Sequence, residues 1–282
     1  MIAITGATGQ LGHLVIDNLL KTVPANQLVA IVRNPAKAQA LTDQGIVVRQ
    51  GDYSDEASLK TALHGVDKLL LISGSEVGQR ATQHRNVINA AKAAGVKFIA
   101  YTSLLHADKS PLGLHVEHVD TENMLAASGI PFALLRNGWY TENYLASAPP
   151  AIEHGVFIGA AGDGKIASAT RADYAAAAAR VISEEGHAGK VYELAGDNAW
   201  TLSELAAELS KQSGKSVRYQ NLSEADFATA LKGVGLPAGL ADMLADSDVG
   251  ASKGGLFDDS RTLSMLIQRP TTPLSESVKS IL

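Results

Sequence analysis

The chain has 282 residues, of which 46% are hydrophobic and 19% charged, and its formal net charge at pH 7 is -5. This length and composition predict a folded protein with a substantial core and exclude a disordered chain. Lys and Arg are scattered, which argues against a nucleic-acid-binding face, and the lack of cysteine excludes disulfides, thiolate catalysis and Cys-ligated metals.

The chain opens with a short apolar run at residues 2–5, which predicts a strand. Gly6, Gly9 and Gly12 follow, and a helical pattern covers residues 10–22. Glycines let a pyrophosphate approach the backbone, and a helix N-terminus offers unpaired N–H groups and a partial positive charge. The G-x-x-G-x-x-G pattern therefore predicts a dinucleotide-binding turn. Its spacing differs from the usual G-x-G-x-x-G, and an ordinary strand–helix turn is the alternative.

Short apolar runs alternate with helical patterns through the first half. This alternation predicts an α/β fold, a doubly wound parallel (Rossmann-type) sheet with helices on both faces, in which ligands bind beyond the carboxyl ends of the strands. The predicted strands are 2–5, 28–32, 46–49, 68–72, 97–102 and 132–135. The predicted helices are 10–22, 35–44, 55–63, 79–94 and 114–128.

The second predicted strand is followed by Arg33, and no acidic residue stands there. NAD-binding folds place Asp or Glu at this point to hold the ribose 2′-OH, whereas NADP-binding folds use an Arg. Because a planar guanidinium suits a phosphate, Arg33 favours NADPH as the cofactor. A solvated surface charge is the alternative for Arg33.

The second half of the chain has fewer strand patterns. We predict strands at 157–158 and 191–194 and helices at 172–183, 202–212, 225–232 and 236–245. This pattern indicates a smaller, mostly helical cap that is partly interleaved with the sheet. We therefore expect an NADP-binding domain, residues 1–135, and a smaller substrate domain, residues 136–282.

Three groups of residues together resemble the NmrA-like branch of the atypical short-chain dehydrogenases. They are I-T-G-A-T-G-Q-L-G at 4–12, V-R-N-P-x-K at 32–37 with G-D-Y at 51–53, and S-G-I-P at 128–131 with L-L-R-N-G-W-Y-T-E-N at 134–143. The resemblance spans nearly the whole chain. Within the family it is similar to bacterial NAD(P)H:quinone oxidoreductases and to triphenylmethane reductases. It implies NADPH as the hydride donor and a small-molecule quinone as the acceptor. We expect this flat acceptor to stack in the cleft between the two domains and to receive the hydride directly from the nicotinamide.

The resemblance also implies which residues contact the cofactor. Asn137 offers an amide for the nicotinamide carboxamide, and Trp139 and Tyr140 offer flat surfaces to a flat substrate, with plain packing as the alternative. Asn143 is a further candidate for substrate contact. The implied cofactor residues are Gly6, Ala7, Thr8, Gly9, Gln10, Leu11, Arg33, Ser73, Gly74, Ser75, Asn137, Gly138, Trp139, Tyr140, Thr141 and Glu142.

The Tyr-x-x-x-Lys pair of ordinary short-chain dehydrogenases is missing. Ser103 stands where the family's serine is expected, but Leu114 and His118 occupy the Tyr and Lys positions. One reading is an enzyme that needs no such pair, which suits reduction of a quinone or another flat conjugated acceptor. The other is an NADP(H)-binding regulator without turnover. His118 is a hypothetical proton donor, because an imidazole titrates near neutrality.

His115 and His118 share one face of the predicted helix, but no further ligand completes a metal site, so none is expected. We also find no run of about eighteen apolar residues and no signal-peptide pattern. The expectation is a cytoplasmic protein without a membrane span. The sequence does not indicate an oligomeric state or the identity of the quinone.

Overall fold

A computed structural model describes residues 1–282, the whole chain. The strands are β1 (Ile2–Thr5), β2 (Leu28–Val32), β3 (Val47–Gln50), β4 (Lys68–Leu71), β5 (Phe98–Leu104), β6 (Phe132–Asn137), β7 (Val156–Gly159), β8 (Val191–Leu194) and β9 (Arg218–Asn221). The helices are α1 (Gln10–Leu19), α2 (Gln39–Asp43), α3 (Glu56–Ala62), α4 (Arg80–Ala94), α5 (His115–Ser128), α6 (Thr141–Leu145), α7 (Ala148–His154), α8 (Arg171–Ser183), α9 (Leu202–Ser213), α10 (Glu224–Gly233), α11 (Ala238–Ser252), α12 (Thr262–Ile267) and α13 (Leu274–Lys279). None of these helices combines the length and the apolarity that crossing a membrane requires.

Seven strands form one sheet in the order β3-β2-β1-β4-β5-β6-β8. The neighbours β1–β2, β2–β3, β1–β4 and β4–β5 run parallel. The strand order reverses between β1 and β4, and ligands of such sheets bind beyond the carboxyl ends of the strands at this switch point. The predicted doubly wound α/β fold is confirmed.

Helices cover this sheet and account for its apolar strands. Val29, Leu69 and Ile99 pack in one buried cluster with Leu59 of α3 and Val87 of α4. Helix α8 packs along α1 and against β4 and β5. All five residues of β2 are buried. Because successive strand residues point to opposite faces, burial of every position requires cover on both faces.

The chain forms two compact units. The first contains Met1–Leu104, Glu117–Arg136 and Arg171–Tyr192. The second contains Leu105–Val116, Asn137–Thr170 and Glu193–Leu282. The second unit is mostly helical and has its own two-stranded parallel sheet of β7 and β9. The predicted domains 1–135 and 136–282 stay a prediction.

Several element boundaries differ from the expected ones. The predicted helix at 35–44 is a 3-10 turn, Pro35–Ala38, followed by the short α2. Strands β5 and β6 run two residues further than predicted, so Ser103 and Asn137 lie inside strands. Strand β9 and four short helices were not predicted. Strand β9 reads R-Y-Q-N and is largely exposed, so its sequence has no apolar alternation to indicate a strand.

Candidate cofactor-binding site

Three glycines shape the turn between β1 and α1. Gly6 has a φ of +61°, in the left-handed region that favours glycine. Its carbonyl accepts a 2.9 Å hydrogen bond from the Gly9 N–H. A Cβ on Gly12 would lie 2.2 Å from the same carbonyl oxygen. The spacing of the glycines therefore follows from the close approach of α1 to the end of β1.

The N-terminus of α1 has no side-chain cap. Gly9 occupies the N-cap position, and the first turn contains no acidic residue. The first N–H groups of a helix have no partner within it, and they carry the positive end of the helix dipole. This end therefore fits a diphosphate. Of the predicted contacts, Gly6, Thr8, Gly9 and Gln10 are exposed, whereas Ala7 and Leu11 are buried.

Arg33 follows the last residue of β2, and its side chain is 74% exposed. Its Nη1 lies 3.4 Å from Oε1 of Glu76. The guanidinium is thus at the surface, where a phosphate could reach it, but a carboxylate stands beside it. The other oxygen of Glu76 accepts a 2.9 Å hydrogen bond from the buried Gln83 amide. Sequence analysis missed Glu76, although it directly follows the predicted contacts at residues 73–75.

The loop at residues 73–75 is held by side chains of β5 and α4. The Ser73 N–H donates to Thr102 Oγ1 at 2.8 Å, and the Gly74 N–H donates to His84 Nε2 at 2.9 Å. Arg80 Nε donates to the Gly74 carbonyl at 2.5 Å. Both polar groups of the Gly74 backbone therefore have partners, which fixes the path of the loop beyond β4.

His84 performs this role as a neutral imidazole. Because its Nε2 accepts from Gly74, its Nδ1 carries the hydrogen and donates to Thr121 Oγ1 at 2.9 Å. Burial, with a smaller effect from Arg80, lowers the pKa of His84 from 6.5 to about 4. Protonation of Nε2 would remove the acceptor for the Gly74 N–H. The shape of the loop thus depends on an uncharged His84.

The α4 residues that hold the loop were not identified from the sequence. Arg80, Gln83 and His84 are all buried. They stand at i, i+3 and i+4 and so share one face of the helix. Polar residues repeated at the spacing of an apolar face are the signal that could have indicated them.

His118, the hypothetical proton donor, is 4% exposed on α5, and its Nδ1 lies 2.8 Å from the Tyr101 hydroxyl. Burial, reinforced by Arg80 and His84, lowers the pKa of His118 from 6.5 to about 3. The protonated form is therefore scarce near pH 7. These observations speak against His118 as the acid that replaces the missing pair.

Ser103 is also engaged in a buried network. Its hydroxyl donates to Glu122 Oε1 at 2.6 Å. Arg136 donates to the same carboxylate through Nε at 3.0 Å and Nη2 at 2.7 Å. The hydroxyl of Ser103 is thus occupied by a buried carboxylate. No group of three or more His, Cys, Asp or Glu side chains is arranged to hold a metal ion, and His115 contacts the Ala107 carbonyl at 3.2 Å.

Asn137 ends β6 with its side chain 5% exposed, and its Oδ1 accepts no hydrogen bond. A buried acceptor without a donor costs about 1–3 kcal/mol and is uncommon in folded proteins. The N–H group of a carboxamide is a suitable donor for this oxygen. The structure therefore fits the predicted contact of Asn137 with the nicotinamide carboxamide.

Hydrogen bonds fix the backbone after Asn137 within the second unit. The Gly138 N–H donates to the Leu194 carbonyl at 2.8 Å, and the Thr141 N–H donates to Ala169 at 3.0 Å. Trp139 is 8% exposed, which favours the packing alternative for that ring. The other predicted side chains, Tyr140, Glu142 and Asn143, are half-buried.

A buried acid that the sequence analysis missed also lies in the second unit. Asp248 of α11 accepts hydrogen bonds from the Tyr144 hydroxyl at 3.1 Å and the Ala160 N–H at 2.8 Å. Burial raises the pKa of Asp248 from 3.8 to about 6. The carboxyl group of Asp248 therefore changes its charge in the pH range in which an ordinary histidine does.

Comparison with known families, proteins and solved structures gives four findings. A model of the NmrA-like family matches residues 1–273. The chain is 82% identical to quinone oxidoreductase 2 of Escherichia coli (strain K12) over 281 residues, which cover 100% of this chain and 98% of that protein. It is similar to the crystal structure of the NADPH-dependent quinone oxidoreductase of E. coli complexed with NADPH, with a TM-score of 0.98, 82% identity and coverage of 100% and 99%. It is also similar to the triphenylmethane reductase of Citrobacter sp. complexed with NADP(H), with a TM-score of 0.96, 44% identity and full coverage of both chains, 100% and 100%.

Proposed function

Because this chain belongs to the NmrA-like family, as its motifs predicted, we propose that it is an NADPH-dependent oxidoreductase that reduces quinones by two electrons. The observation that carries the proposal is 82% identity, over the whole chain, to a quinone oxidoreductase whose structure holds NADPH. The predictions of NADPH as cofactor and of a quinone as acceptor agree with it. The proposal includes the expected cytoplasmic location.

The residues present fit the cofactor. In this proposal the uncapped N-terminus of α1 binds the diphosphate, Arg33 binds the 2′-phosphate, and Oδ1 of Asn137 accepts from the carboxamide. When bound, the reduced nicotinamide supplies a hydride to the acceptor. The buried loop anchors Thr102 and His84 act indirectly, because they hold the backbone of residues 73–74 in place.

The reaction balances without an acid from the protein. A quinone that receives one hydride and one proton becomes a hydroquinone, and its oxygens can take that proton from water. This chemistry suits a chain without the Tyr-x-x-x-Lys pair, in which His118 and Ser103 are buried and bonded to neighbours. The protein then contributes chiefly by holding the acceptor at near-attack distance. Tyr140 and Asn143, whose side chains are half-buried, are the proposed contacts for the acceptor.

Reduction of triphenylmethane dyes is a second candidate. It is favoured by 44% identity to triphenylmethane reductase across the whole chain. Such dyes are conjugated cations, and they accept a hydride without needing a proton. The same assay with a dye in place of the quinone tests this activity.

The test of the main proposal is steady-state oxidation of NADPH with a simple benzoquinone, beside calorimetry of NADPH and NADH. We expect the wild-type protein to turn over. We expect Arg33→Ala to lower the affinity for NADPH by about tenfold to a hundredfold, since a charge-assisted hydrogen bond contributes about 1.5–3 kcal/mol. The affinity for NADH should change little, because NADH has no 2′-phosphate.

Arg85→Ala is the matched control, since Arg85 is an exposed arginine on α4 outside the predicted site. Tight NADPH binding without turnover on any quinone or dye would contradict the proposed enzyme and favour a regulator. If Arg33→Ala lowered the affinities for NADPH and NADH equally, Arg33 would not bind the 2′-phosphate.

A further inference from the structure

The guanidinium proposed to bind the 2′-phosphate already has an anionic neighbour. Arg33 and Glu76 are 43 positions apart in sequence, yet Nη1 and Oε1 lie 3.4 Å apart. Glu76 is 53% exposed, so its carboxylate reaches the surface beside Arg33. NAD-binding folds have an acidic residue at the end of the second strand, and β2 has none. Instead, Glu76 in the loop after β4 places a carboxylate beside the Arg33 guanidinium.

Gln83 keeps the Glu76 carboxylate in this place. Gln83 is 6% exposed, and its amide donates to Oε2 of Glu76 at 2.9 Å, which leaves Oε1 directed at Arg33. One oxygen is therefore held by a buried amide and the other by an exposed cation. A glutamate positioned by a buried partner is more than a mobile surface charge.

A 2′-phosphate and a carboxylate have the same sign and compete for one guanidinium. Two unit charges about 4 Å apart interact by about 1 kcal/mol in water and by more near a protein surface. Binding of NADPH must separate Arg33 from Glu76 or place the phosphate near the carboxylate. Binding of NADH meets no such conflict, because a ribose 2′-OH can donate to a carboxylate.

We propose that Glu76 is a specificity-determining residue that occupies Arg33 in place of the 2′-phosphate and so limits the preference for NADPH over NADH. This inference rests on the proposed function, since it requires NADPH to bind at Arg33. The chain thereby holds both a cation for the 2′-phosphate and an acid for the 2′-OH. Its use of the two cofactors depends on the balance between them.

The experiment is calorimetric titration of the wild-type protein and Glu76→Gln with NADPH and NADH, without any acceptor. Removal of the negative charge should lower the Kd of NADPH by about threefold to tenfold. The Kd of NADH should stay within about twofold, because the glutamine carbonyl oxygen still accepts a hydrogen bond from the 2′-OH. Adenosine 2′,5′-bisphosphate should gain affinity as NADPH does, whereas AMP should not. These two ligands isolate the phosphate from the nicotinamide.

Glu185→Gln is the control, because Glu185 is an exposed glutamate paired with Lys68, the first residue of β4. It should leave all four Kd values unchanged. One outcome is that the wild-type protein binds NADPH while the ratio of the NADPH and NADH Kd values in Glu76→Gln stays within about twofold of the wild-type ratio. That result overturns the role of Glu76 and leaves the proposed function standing. If the wild-type protein binds neither nucleotide, the proposed function itself fails.

Discussion

The glycine turn after β1 and the loop after β4 follow adjacent strands of one sheet, but they are held in different ways. The turn is shaped by its own backbone, through the positive φ of Gly6 and its contact with Gly9 and Gly12. The loop is shaped by Thr102, Arg80 and His84, which belong to other elements. The glycine turn should respond to side chains added at its glycines, and the loop should respond to loss or titration of the side chains that hold it.

The largest effect is expected from Gly12→Ala. The new Cβ would lie 2.2 Å from the Gly6 carbonyl oxygen, so α1 must move away from β1. We expect a loss of about 3 kcal/mol in unfolding free energy, at the upper end for overpacking, and a fall of at least about tenfold in NADPH affinity. Urea unfolding and calorimetry measure the two effects.

Gly239→Ala is the matched control for that change. Gly239 also lies in a helix, and a Cβ there meets nothing within 4 Å. It should stabilise the protein by about 0.5–1 kcal/mol, because alanine favours helices over glycine. Equal behaviour of the two alanine variants would show that the turn tolerates a side chain and is not shaped by its glycines.

An intermediate effect is expected from acid, through His84. Its pKa is about 4 in the folded protein and about 6.5 when unfolded. The unfolded chain therefore binds more protons between these values, and stability falls as the pH falls through this window. We expect His84→Gln to lessen the loss between pH 6.5 and 5.5 by about 1 kcal/mol in urea unfolding.

Thr82→Ala, at an exposed residue of α4 that carries no titratable group, serves as the control and should keep the wild-type pH dependence. The comparison between variants matters because Asp248 acts in the opposite sense. The pKa of Asp248 is raised to about 6, so the folded protein binds its proton more tightly than the unfolded chain does. Asp248 therefore contributes stability at low pH, and this contribution is lost as the pH rises through about 6. Since Asp248 is present in every variant, its effect cancels in the difference. An unaltered pH profile in His84→Gln would contradict the assignment of a neutral, loop-holding histidine.

The smallest effect is expected from Thr102→Val. This change keeps the shape of the side chain and removes the acceptor of the Ser73 N–H. Because Ser73 is half-buried, water can replace part of the bond, and the cost should be about 0.5 kcal/mol. Amide hydrogen exchange should quicken at Ser73 and stay unchanged at Gly9, whose partner is Gly6. Unchanged exchange at Ser73 would mean that Thr102 does not hold the loop.

Local patterns made much of the fold predictable. Strands β1, β2 and β8 were predicted to the residue. Strands β1 and β2 are largely buried, and each is a short apolar run bounded by turn residues. The ends of β5 and β6 were placed two residues early, since Ser103 and Asn137 are polar and ended the apolar pattern. Their burial depends on partners or ligands that no local window contains.

The candidate site divides along the same line. Gly6, Gly9, Gly12 and Arg33 were identified in sequence because a tight turn and a missing acid are features of adjacent residues. Glu76, Gln83 and His84 were not, because their roles arise from contacts across the first unit. His118 was considered a proton donor for its usual pKa, and only its burial against Tyr101 argues otherwise.

By itself, the sequence determined the order of strands and helices, the glycine turn and the cation at the end of β2, because each follows from residues close together in the chain. The tertiary structure decided which side chains hold the loop at 73–75, which histidines are neutral, and that a glutamate 43 positions away contacts Arg33. The physical reason is that hydrogen bonds, ion pairs and desolvation depend on distance in space, and folding brings together groups whose sequence separation carries no sign of their contact.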